Sequence, residues 1–195
     1  MPNISDLLST NTANIAANTT AVASAGGSWS EISETTISSS TSYVDFTSLS
    51  NTYKHFKLRV ENILTNGGST YYFRFMNGSS VINSPSYYHT HTIAQNHNAT
   101  NIVQNAQNAN NTGFIMQQYN YSVANKYPSF GEIDIFLTTD NPMAISKYQY
   151  HTYSGWRSSE HNSIVYYANN TSIDGFRLQA TQYFQSGTLK LYGLA

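Results

Sequence analysis

Two constellations in the chain have residue types and spacing suited to chemistry. The first is His89-Thr90-His91-Thr92. On an extended chain, residues i and i+2 point to the same side, so His89 and His91 share a face. Three copies around one axis would present six imidazole nitrogens, an octahedral set for a transition metal. The other reading is an exposed loop, on which a run such as Tyr87-Tyr88-His89 is ordinary. The second constellation is Glu132 with Asp134, interleaved with Ile133 and Ile135. Two carboxylates at i and i+2 of one strand stand ~7 Å apart, a separation found in some glycosidases. Acidic residues are also the default on the outer face of a half-buried strand. No nucleophile elbow, phosphate loop or zinc-protease motif accompanies them. No enzyme is expected.

Aromatic side chains offer a third kind of chemistry. Tyr combines a flat apolar face with a hydroxyl, which suits both sugar stacking and protein interfaces. Tyr148 and Tyr150 alternate along a strand and are expected in a core or subunit interface. Tyr87, Tyr88 and Trp156 are the surface candidates for receptor contact.

Composition narrows the classes. Asn, Ser and Thr supply 69 of the 195 residues, while charged residues supply only 10%. Nine Lys and Arg against ten Asp and Glu leave a net charge of −1. An electrostatic grip on nucleic acid is therefore not expected. Aromatic residues at 14% argue against intrinsic disorder. No apolar run reaches the ~18 residues of a membrane helix, so no membrane insertion is expected. Cys is absent, which excludes disulfides and thiolate sites.

The elements that must position these groups are strands. Apolar residues alternate with polar ones at Phe56, Leu58 and Val60, at Tyr71, Phe73 and Phe75, and at Ile133, Ile135 and Leu137. The same period of two recurs at Phe176, Leu178 and Ala180, and at Leu189 and Leu191. Weaker candidates lie near 31–37, 42–46, 114–121, 146–153 and 162–168. Turn signals separate them, among them Asn77-Gly78, Asp174-Gly175 and Ser186-Gly187. About ten short strands without an intervening helix describe an all-β chain, an antiparallel β-sandwich of jelly-roll type. The polar span 78–113 breaks the rhythm and reads as a protruding loop.

Residues 1–27 differ from the head, 28–195. Ile4, Leu8, Asn11, Ile15, Asn18, Val22 and Ala25 are spaced 4-3-4-3-4-3, the seam of a coiled coil. The seam carries two Asn, each followed by Thr: Asn11-Thr12 and Asn18-Thr19. Either this segment is a short helical coiled coil or it is an extended anchoring arm, since three heptads are marginal for an isolated helix. The pattern resembles the Asn layers of trimeric autotransporter adhesins and phage fibres. That resemblance implies a parallel homotrimer with Ile4, Leu8, Ile15 and Val22 in the seam. It also implies a chloride-like anion at the Asn11 and Asn18 layers. His89-x-His91 likewise resembles the metal layers of trimeric phage fibre tips, although Tyr87 stands where those layers carry Gly.

The chain ends in Gly175-Phe176-Arg177-Leu178, then Ser186-Gly187-Thr188-Leu189-Lys190-Leu191-Tyr192-Gly193. The head opens with Trp29-x-x-Ile32, Val44-x-Phe46 and Tyr53-Lys54-x-Phe56. Both motifs resemble tailed-bacteriophage virion proteins, over roughly a third of the chain. The resemblance implies a non-catalytic virion protein exposed on the particle, either a homotrimeric fibre or receptor-binding module or a capsid decoration protein held by its N-terminal arm. A glycan-binding or glycan-degrading tail enzyme is the remaining alternative. Implied partners are further copies of the chain, other tail or capsid proteins, and a host surface glycan or receptor.

Overall fold

The computed structural model describes residues 27–49, 52–53, 55–66, 69–83, 87–96, 102–109, 114–120, 128–137, 142–151, 158–167 and 172–194. Every regular element among them is a strand. These are β1 (Trp29–Ile37), β2 (Thr41–Phe46), β3 (His55–Thr65), β4 (Ser69–Asn77), β5 (Ser80–Val81) and β6 (Tyr87–Asn96). They continue with β7 (Ile102–Ala109), β8 (Phe114–Asn120), β9 (Ser129–Phe136), β10 (Met143–His151), β11 (Ser158–Tyr167) and β12 (Gly175–Leu194). All pairings are antiparallel, and one continuous path runs β5-β4-β12-β3-β9-β10-β11-β6-β7. The all-β, antiparallel expectation holds.

The twenty-residue β12 organises the sheet. Its first part pairs with β2 on one edge and β4 on the other. Its second part pairs with β1 and β3. Thus β1 followed by β2, and β3 followed by β4, each run antiparallel to successive parts of β12. The Ser186-Gly187 signal is therefore not a turn between two strands, as its composition suggests. It is an irregularity inside one strand, because each half of β12 is held by neighbours other than the opposite half.

A change in alternation shows what happens there. In β3 the buried residues are Phe56, Leu58 and Val60, then Ile63 and Thr65. In β12 the buried side chains are Phe176, Leu178, Ala180 and Phe184, then Leu189 and Leu191. Both strands shift parity at the same level, where Asn62 has φ 55° and Gly187 has φ 138°. The registers slip there as well, between Ser186 and Thr188 and between Val60 and Ile63. Such bulges bend a strand and strengthen its twist. Asn tolerates the left-handed region better than most residues. At Gly187 a Cβ would stand 2.8 Å from Ile63 Cα and 3.0 Å from the Asn62 carbonyl oxygen.

The bend curls the sheet around its own apolar face. Phe176 stacks between Phe46 (4.8 Å) and Phe73 (5.1 Å) on one side of the corner. Leu58, Ile133, Ile135, Leu189 and Leu191 lie on the other, and all belong to one buried cluster. Each fully buried Phe or Leu contributes ~1.5–3 kcal/mol over its exposed state. Strand β8, paired with β4, also lies beside β10 and β11, which brings distant parts of the sheet path together.

The span expected as a protruding loop is mostly strand. β6 pairs with both β11 and β7, and β7 ends the path. Backbone ladders need no apolar alternation, so an Asn- and Gln-rich composition hid this hairpin.

Candidate functional site

The outward face of β1, β12, β3 and β9 concentrates the chain's scarce charge. Seven of its nineteen Lys, Arg, Asp and Glu residues form a ladder there. Lys190 lies 3.8 Å from Glu34 and 3.6 Å from Glu61. Arg59 lies 3.7 Å from Glu61 and 3.6 Å from Glu132. Lys57 completes the row at 3.5 Å from Glu132 and 3.7 Å from Asp134. Register explains the order, since Arg59 is opposite Glu132 and Lys57 opposite Asp134. Glu61 chiefly, and Glu34 after it, raise the Lys190 pKa above its ordinary 10.5. At the far end His55 shares a 3.0 Å hydrogen bond with Asp134. Its ring stacks on Phe136 at 4.2 Å and meets Trp29 edge-on at 4.8 Å.

Beside this ladder lies a groove of about 340 Å³. The bulge of β3 creates it. Val60 faces Gly131 and Ile63 faces Ser129, so Glu61 and Asn62 together oppose the single residue Phe130. Register places Gln149 of β10 beside Phe130, and Lys147 beside Glu132. The walls are therefore Arg59, Glu61, Phe130, Glu132, Lys147 and Gln149. Phe130 is 46% exposed, a large apolar residue left in water. Below, the Tyr148 ring presses against β9 so closely that a Cβ on Gly131 would stand 2.7 Å from its Cε2.

A second polar cluster occupies the outward face across the corner. Arg177 donates to Asp45 through both Nε (2.6 Å) and Nη2 (2.7 Å). Its guanidinium also lies 3.7 Å from the Tyr43 ring centroid. The hydrogen bonds that Arg177 donates to Asp45 lead the causes that hold its pKa above the ordinary value. Arg74, opposite Arg177 in register, donates to Asn83 at 3.3 Å.

The residues singled out from sequence are placed as follows. Glu132 and Asp134 face outward, as expected, and both are engaged by cations. His89 and His91 lie on β6, not on a loop. Their backbone partners are Val165 and Ser163 on β11, and Asn108 and Ala106 on β7. Tyr87 and Tyr88 open the same strand opposite Tyr167 and Tyr166. Trp156 and the seam residues Ile4, Leu8, Asn11, Thr12, Ile15, Asn18, Thr19 and Val22 lie outside the described residues. Among the described residues no group of three or more His, Asp and Glu is placed to hold a metal ion. Sequence reading missed the groove, although one signal pointed to it: the parity break from Val60 to Ile63. No family model, curated protein or solved structure matches the chain.

Proposed function

We propose that the chain is a structural protein of a tailed-bacteriophage virion, a homotrimeric fibre or receptor-binding module without catalysis. Its head is a β-sandwich of jelly-roll type, and residues 1–27 mount it on the particle as a coiled coil or arm. One observation carries the reading. The C-terminal motif that resembles phage virion proteins, from Gly175 to Gly193, is also the strand on which the sheet is built. Its Phe176, Leu178, Leu189 and Leu191 supply the core, and Gly187 supplies the corner. Motif and architecture therefore coincide. A surface solubilised by amides and hydroxyls, with little charge, suits a β structure exposed outside the cell.

Immunogold labelling of virions tests the location. Label at the tail tip is expected. Label confined to the capsid would replace the fibre reading with the decoration reading. Sedimentation of the full chain should give three times 21.7 kDa, and a monomer would remove the trimer.

A further inference from the structure

We infer that the groove at the β3 bulge is a binding site for a neutral hexopyranose unit of a surface glycan. The inference rests on the host-attachment reading for its biological meaning and names the ligand class that reading leaves open.

Four features of the groove select this ligand. Its volume, about 340 Å³, falls at the small end of the ~300–1,000 Å³ range of small-ligand sites. Phe130 offers an exposed ring at one wall, and the C–H face of a pyranose packs on such a ring as other apolar groups do. The polar walls are balanced in sign: Arg59 and Lys147 against Glu61 and Glu132. A balanced rim favours neither an anion nor a cation, whereas a sugar hydroxyl both donates and accepts. Finally, Arg59 is positioned without being used up. The Arg59 contacts to Glu61 (3.7 Å) and Glu132 (3.6 Å) are attractive, but they exceed the hydrogen-bond range of ~2.7–3.2 Å. The Arg177–Asp45 pair across the corner is the opposite case, closed by two short bonds.

The bulge explains why the site falls here. A regular ladder would set one β3 residue opposite Phe130. The extra residue opens the strand and sets Glu61 across from Phe130 in the groove wall, in the way bulges re-aim side chains.

The test uses the full-length protein and saturation-transfer NMR. The probes are methyl hexopyranosides of gluco, galacto and manno configuration, with glucuronic acid as the anionic counterpart. The expected result is transfer to at least one neutral hexoside. Phe130→Ala should weaken that binding about tenfold, the loss of one good contact, and Glu132→Gln should weaken it by less. Tyr43→Ala, on the other half of the sheet, should leave it unchanged. Unaltered urea midpoints would show that the variants fold. Absence of transfer to every neutral hexoside, stronger binding of glucuronic acid, or equal binding by Phe130→Ala each overturns the inference. Adsorption of the same proteins to host cells separates the two readings. Sugar binding without adsorption removes host attachment and keeps the groove. Adsorption that Phe130→Ala leaves intact keeps attachment and removes the groove.

Discussion

The two halves of β12 share one strand and one core yet present different outer faces. Over 175–180 the polar groups are closed on each other. Arg177 is held by both oxygens of Asp45 and by the Tyr43 ring. Over 188–194 and its neighbours the Lys and Arg pairs are many, spaced at 3.5–3.8 Å, and partly open to water. A closed cluster fixes strand register, because bidentate Arg–carboxylate geometry tolerates little displacement. An open ladder contributes little to stability, since exposed pairs are each worth ~0–1 kcal/mol. It does keep charged side chains arrayed where a ligand can use them. The corner between the halves, at Asn62 and Gly187, produces both the shared core and the groove.

The contrast can be broken by mutation. The largest effect is expected in the core that the halves share. Phe176→Ala should cost about 4 kcal/mol and Leu191→Ala about 3 kcal/mol, the usual range for buried large-to-small changes. Urea unfolding should remain a single transition in both; two separate transitions would mean the halves fold independently. Next comes the corner. Gly187→Ala should lose about 3 kcal/mol, since it adds left-handed strain to a close contact. A loss below about 0.5 kcal/mol would show that the bend does not depend on this residue.

The outer faces should then separate. Asp45→Ala leaves Arg177 without its carboxylate and should cost about 1.5 kcal/mol. Glu132→Gln should stay within about 0.5 kcal/mol of the parent chain. Equal losses would erase the distinction between closed and open clusters. The smallest effect concerns pH. The Lys190 pKa is raised in the folded state, so its contribution is complete below 10.5 and fades as pH rises through the folded value. Lys190→Arg keeps its charge there. Its urea midpoint should match the parent at neutral pH and exceed it slightly near about pH 11.5. A constant difference at both pH values would remove Lys190 from the alkaline response.

Much of this was legible in the chain. The alternation at Phe56-Leu58-Val60, Ile133-Ile135 and Phe176-Leu178 marks strands with one buried face, and those strands form. The outward placement of Glu132 and Asp134 follows from the same rule. Asn77-Gly78 marks a tight turn, and it joins β4 to β5. The reading failed where pattern and hydrogen bonding part company. Polar β6 and β7 pair through backbone groups that composition does not reveal. Ser186-Gly187 has the residues of a turn, but turn residues also serve a bulge, and only the partners on either edge decide between them.

The sequence by itself determined that the chain is built of antiparallel strands, which residues face inward, and that its few cationic and anionic side chains nearly balance. These are local or compositional properties, set by side-chain alternation and by counting. Only the tertiary structure decided that β12 runs unbroken between two pairs of strands, that the sheet bends at Asn62 and Gly187, and that Glu61 stands beside Phe130. Those last two residues are far apart in the chain, and their meeting depends on the register of β3 against β9. Register is a property of paired strands, fixed by long-range packing and by the bulge, and no single segment contains it.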